Sequence, residues 1–156
     1  MTQTPRNKNM KIIIAQLGIM IVIHSIAVTS FAQKHEIIEG GRYLYKKYCA
    51  LCHGPRAQGN GPRADSLKVR PANLTILSQR HGGEFPFWRT YRIIDGREEV
   101  NTHGPRDMPV WGLWFQSPGD DVSTETEWAD QVRGRIWQLL TYLESIQETQ
   151  SPKEKK

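Results

Sequence analysis

Residues 49–53 read Cys-Ala-Leu-Cys-His and hold the only two cysteines of the 156-residue chain. Two thiols separated by two residues can each add to one vinyl group of a porphyrin. A histidine directly after the second cysteine is then carried under the ring, where its imidazole can reach iron. C-x-x-C-H is therefore the pattern of covalent haem attachment. A bare C-x-x-C would also suit a thioredoxin-like redox pair or half of a zinc site. The redox pair needs no adjacent histidine and sits beside a βαβ pattern, which this sequence lacks; tetrahedral zinc would require a fourth ligand.

The amino terminus reads as an export signal. Arg6, Lys8 and Lys11 precede an apolar run from Ile12 to Ile23, and no acidic residue occurs before Glu36. Ser30 and Ala32 occupy the small-residue positions of an A-x-A-like cleavage site, so residues 1–32 are expected to be removed. The alternative is an uncleaved anchor, since residues 12–31 approach the ~20 needed to span a bilayer. Either way the folded part lies beyond a membrane, which suggests a bacterial periplasm. Removal of residues 1–32 leaves 18 basic against 16 acidic residues, and residues 153–156 supply the whole excess of +2. The body of the protein is nearly neutral, so a nucleic-acid partner is not indicated. Residues 33–147 suit one small domain, whose limited core a buried porphyrin would enlarge. Residues 148–156 are expected to form a disordered polar tail.

Helical periodicity dominates this domain. A first helix is expected over residues 36–49, with Ile37, Gly41, Tyr45 and Tyr48 on one face. Gly41, costly inside a helix, marks either the close approach of another helix to its backbone or a frayed helix start. Residues 54–63 are a Gly/Pro-rich loop, without the Gly-Lys-Ser/Thr that would make it a phosphate cradle. Residues 65–69 suggest a helical turn, and residues 85–95 a helix closed by Gly96. The last helix is the best defined. Thr124 and Glu127 have capping-box spacing, and Trp128, Val132, Ile136, Leu139, Leu143 and Ile146 follow at steps of three and four. No stretch alternates as a strand does, and the fold class is all-α.

If haem is bound, its iron has a second axial position to fill. Met108 is the one methionine outside the export segment, in a non-helical stretch that reads Arg-Asp-Met-Pro-Val-Trp-Gly. Its thioether is a soft ligand that raises the iron's reduction potential. The competing use of a methionine is core filling. His81 and His103 would give a bis-histidine iron, but both lie beside glycine in polar stretches typical of surface residues, and His35 lies near the expected mature terminus.

On these residues the chain resembles the class I c-type cytochromes, monohaem electron carriers of respiratory and periplasmic pathways, over nearly all of the mature domain. In that family a glycine and an aromatic lie eight and four residues before the first haem cysteine and pack on a Leu-x-x-Tyr pair of the carboxy-terminal helix. The matching positions are Gly41, Tyr45, Leu139 and Tyr142. The Gly59-Asn60-Gly61-Pro62, Pro71-Ala72-Asn73-Leu74-Thr75 and Met108-Pro109-Val110-Trp111-Gly112 stretches are similar to a proteobacterial branch, with Asn60 where aspartate is commoner. The resemblance implies amino- and carboxy-terminal helices packed across each other around one haem c attached through Cys49 and Cys52. It also implies His53 and Met108 as axial ligands. A backbone carbonyl usually fixes the ligating histidine, and the family's proline suggests Pro71, with Pro55 behind it. Arg97 and Trp111 are candidates to meet the haem propionates, with Arg70 and Arg92 equally able to reach. The implied function is not enzymatic: it is one-electron transfer between a redox donor and a redox acceptor, met transiently in the periplasm. A membrane contact would follow only from an uncleaved amino terminus. The alternatives are a haem enzyme or gas-binding protein with an open distal site, and a fixed subunit of a dehydrogenase or oxidase. An exposed Trp111–Phe115 segment would favour the last.

Overall fold

The computed structural model describes residues 6–96, 108–115 and 124–148. They are helical and contain no strand, as the periodicity requires. The chain divides into two compact units, residues 1–36 and 37–156. The first unit belongs to helix α1, Arg6–Tyr48, and its side chains Ile12, Leu17, Ile19 and Phe31 are exposed. Among the described residues no helix is long and apolar enough to cross a membrane. The helix expected over residues 36–49 is thus the last part of a longer one, because the apolar run before it is helix-compatible and carries no proline.

In the second unit the end of α1 packs against α6, Glu125–Ser145. Gly41 is the reason they can approach: a Cβ there would lie 2.0 Å from the carbonyl oxygen of Gln138 and 2.7 Å from the Cβ of Tyr142. One turn on, the rings of Tyr45 and Tyr142 meet with centroids 5.5 Å apart, and the Arg42 guanidinium lies over Tyr142 at 5.3 Å. Tyr45, Ile136, Leu139, Leu140 and Phe115 are fully buried and form the centre of the core.

The start of α6 is fixed locally. Thr124 accepts a hydrogen bond from the Glu127 N–H at 3.2 Å, and the Glu127 carboxylate accepts one from the Thr124 N–H at 3.0 Å, a complete capping box. Between α1 and α6 the elements are short: α2, Ala50–His53; a 3₁₀ turn, Ala64–Ser66; α3, Leu77–Arg80; α4, Phe87–Asp95; and α5, Trp111–Trp114. α4 stops at Gly96 in the left-handed region, as expected, and packs on α6 and α5.

The end of the described chain is tied down. The side-chain amide of Gln147 donates to the Leu74 carbonyl at 2.7 Å and accepts from the Ser78 N–H at 2.9 Å; the Glu148 N–H donates to the Thr75 carbonyl at 2.7 Å. Glu148, assigned to a disordered tail by its polarity, is therefore held, and residues 149–156 lie outside the described residues.

Candidate functional site

The attachment motif begins where α1 ends. The Cys49 N–H still donates to the Tyr45 carbonyl at 2.9 Å, and α2 then turns so that the His53 N–H donates to the Cys49 carbonyl at 2.9 Å. Both cysteines are unpaired and half-buried, and His53 is buried. Burial, reinforced by neighbouring Cys52, pushes the Cys49 thiol up to about 12. The Tyr45 hydroxyl donates to the Gly54 carbonyl at 2.5 Å, tying the loop after the motif to the helical core. Burial is the main cause that raises the Tyr45 hydroxyl above its ordinary value, followed by Cys49 and Tyr142.

Residues 54–74 fold back along the motif through backbone hydrogen bonds. Gly59 donates to the His53 carbonyl at 2.8 Å, Gly61 to Cys52 at 3.1 Å and Leu74 to Ala57 at 2.7 Å. Gly59 disfavours any side chain on two counts: its φ is +77°, and a Cβ would sit 2.2 Å from the Pro71 carbonyl oxygen. This packing brings residues 71 and 72 beside the imidazole. His53 Nδ1 lies 3.0 Å from the Ala72 carbonyl. A carbonyl only accepts, so the proton is on Nδ1 and Nε2 keeps the lone pair that a metal ligand needs. The partner is thus Ala72 and not Pro71 or Pro55: Pro71 lines the cavity, but its carbonyl is turned toward Gly59. A backbone acceptor leaves no residue-type signal, which is why the family's proline misplaced it by one position.

Cys49, Cys52, His53, Pro71, Met108 and Trp111 all line one cavity of about 250 Å³. Its remaining wall is mostly aliphatic, from Leu67 and Val69, Leu74 and Leu77, Ile93 and Ile94, and Leu139 and Leu143. Met108 reaches it because the segment after it docks on the end of α4. There Gly96 faces Val110, and Gly112 faces Asp95 with no room for a side chain on either glycine. Trp111 stacks on buried Phe115 with centroids 5.7 Å apart and meets Tyr48 at 5.4 Å. His81 also lines the cavity, but its ring nitrogens are engaged: Nδ1 with the Leu77 carbonyl at 2.8 Å and Nε2 with Arg89 at 3.3 Å. Arg97 and His103 lie outside the described residues, and Arg70 is turned to the Gly59 carbonyl at 3.4 Å. Among the described residues no group of three or more His, Cys, Asp or Glu side chains is arranged to hold a metal ion by itself.

A family model described as cytochrome C oxidase, cbb3-type, subunit III matches residues 36–123. The chain belongs to this family. It is a c-type cytochrome domain, and the cofactor of such domains is covalently bound haem c. No curated protein and no solved structure matches the chain. The side chains of this cytochrome fit the group: two thiols at attachment spacing, an imidazole protonated on the correct nitrogen, a thioether, and a mainly apolar lining. Sequence reasoning did not single out Arg80 and Arg89 among the cavity residues. The signal available to it was an arginine next to His81 and another eight positions beyond that histidine, a pattern that ordinary surface helices share.

Proposed function

We propose that this cytochrome carries single electrons between redox proteins in the periplasm, and that His53 and Met108 would hold the iron of its haem. The observation that supports this most is the convergence of both thiols, the oriented imidazole and the thioether on one apolar cavity. When bound, haem supplies a one-electron Fe(II)/Fe(III) couple. The chain's residues set the conditions for it. Cys49 and Cys52 tether the group. His53 is kept in one tautomer and orientation by the Ala72 carbonyl. Met108 provides a soft donor that favours the reduced state. The aliphatic walls from α4 and α6 keep water away and keep both ligands in place, so that little rearrangement opposes electron exchange. Residues 1–32 act as the export signal, cleaved after Ala32; if retained, they would anchor the domain. Contacts with donor and acceptor are small and short-lived, at the low end of interface size.

A second reading is a fixed cytochrome subunit of an oxidase complex. One observation favours it, apart from the family's description. Trp88 and Trp137 are 65% and 48% exposed, their centroids lie 6.5 Å apart, and Phe87 joins them to form an aromatic patch across α4 and α6. Such a surface is costly to leave in water. In the Trp111–Phe115 segment Phe115 is buried and Trp111 lines the cavity, while Leu113 is exposed.

Optical spectra of the exported protein, ferric and ferrous, with and without carbon monoxide, test the ligand assignment. A six-coordinate spectrum with a thioether-to-iron charge-transfer band, indifferent to the gas, is expected. Met108→Ala should abolish that band and lower the potential. An unchanged spectrum in the variant removes Met108 from the iron, and gas binding by the native protein at neutral pH points to an open-site haem protein.

A further inference from the structure

Haem presents two carboxylates at one edge, and the thiols, imidazole and thioether of the site above offer them nothing. Among the described residues that line the cavity, no carboxylate occurs, and the permanently charged side chains are Arg80 and Arg89. Both are exposed at the mouth, one at the end of α3 and the other in α4. His81 lies between them in structure as well as sequence. Its Nδ1–H donates to the Leu77 carbonyl at 2.8 Å, which leaves Nε2 as an acceptor for the Arg89 Nη1 at 3.3 Å. The histidine therefore aims one guanidinium while its own ring is fixed by α3. The Arg80 guanidinium has no hydrogen-bond or ion-pair partner among the described residues. The planar guanidinium fork of an arginine matches a carboxylate in two-point contact.

We propose that Arg80 and Arg89, the latter positioned by His81, receive the two haem propionates at the mouth of the cavity. The assignment rests on the haem reading and replaces Arg97 and Trp111 in this role. Trp111 packs instead on the aromatic side chains of Tyr48 and Phe115. A cation beside the cofactor favours the ferrous state, which carries one positive charge fewer. Its loss should therefore disfavour reduction.

The test uses the full exported holoprotein with Arg80→Gln, Arg89→Gln, Arg89→Lys and His81→Phe. Haem content is read from intact mass, and the potential from an equilibrium redox titration. Both glutamine variants should retain haem while their equilibrium shifts against reduction by roughly three- to tenfold, the size of one partly screened charge; a tenfold shift is about 59 mV for one electron. Arg89→Lys should stay within about twofold of wild type, since the charge is kept. His81→Phe should move in the same direction as Arg89→Gln, by less. For variants that fail to fold, nuclear Overhauser contacts in ferrous wild-type protein, between the propionate methylenes and the arginine δ-methylenes, give the same information. Haem-loaded glutamine variants with wild-type potentials, or wild-type protein lacking those contacts, would overturn the propionate site and leave the haem reading intact. Wild-type protein without haem mass would remove both.

Discussion

Replacing Gly41 by alanine isolates the close approach of α1 and α6 from every other contribution. Alanine gains about 1 kcal/mol over glycine inside a helix. Against that, its Cβ would stand 2.0 Å from the Gln138 oxygen, 2.7 Å from the Gln138 carbonyl carbon and 2.7 Å from the Tyr142 Cβ, whereas ordinary contact begins at 3.4 Å. None of these atoms belongs to the flexible end of a side chain, so the helices must part by roughly 1 Å, loosening the Tyr45–Tyr142 contact and the core around Leu139. Overpacking of this kind costs about 1–3 kcal/mol. Gly40 is the internal control. A Cβ there meets only the terminal amide of the Gln138 side chain at 3.1 Å, which can swing aside. The helix-propensity gain is common to both variants and cancels in their difference, so Gly41→Ala should be less stable than Gly40→Ala by about 1–3 kcal/mol. Urea titration and thermal melting of the two holoproteins measure this, with Tm separated by roughly 5 °C or more. Equal stabilities would refute the claim that backbone contact at residue 41 sets the helix spacing.

Gly59→Ala should lower stability by about 1–3 kcal/mol through positive φ and contact with the Pro71 carbonyl. By displacing Ala72 it should also raise the potential, because a histidine ligand that loses its Nδ1–H acceptor is a weaker donor; an unmoved potential in redox titration would show that Ala72 does not tune the ligand. Thr124→Ala should cost about 1 kcal/mol and speed amide exchange at Glu127, since it removes half of the capping box; exchange rates equal to wild type would contradict that. Burial raises the hydroxyls of both Tyr45 and Tyr142 above the usual 10.0, with Arg42 partly opposing this at Tyr142. The folded state then holds protons that the unfolded chain releases. The stabilisation is complete below pH 10 and is lost as pH rises through the folded values, so stability should fall from about pH 10 upward. Tyr45→Phe should make that fall shallower while removing the bond to Gly54, as denaturation midpoints from pH 8 to 11 would show.

The parts of this protein that were legible in advance depend on side-chain identity at short spacing. C-x-x-C-H, the Thr124–Glu127 box, the Gly41/Tyr45 face and the lone Met108 each carry their chemistry in residue type, and the cavity brings the motif and the methionine together. What escaped depends on backbone or on neighbours distant in sequence. Helices α3 and α5 span four residues each, too few for a period to register. The acceptor for His53 is a carbonyl, which any residue could supply, and only the fold-back of residues 54–74 selects Ala72. The cations at the cavity mouth look like any solvated arginine until α3 and α4 are placed beside the motif. The exposed Trp88 and Trp137 escaped as well, because each falls within a helical period that reads as an ordinary amphipathic face.

The bonds from Gln147 and Glu148 to Leu74, Thr75 and Ser78 bear on the order in which the molecule can be assembled. Leu139 and Leu143, two wall residues, and the clasp on Leu74, Thr75 and Ser78 lie far downstream of the thiols in the chain. A growing polypeptide already displays both thiols while one side of their enclosure does not yet exist. Closure by the final two helical turns then shuts the door behind whatever has been joined to the sulfurs.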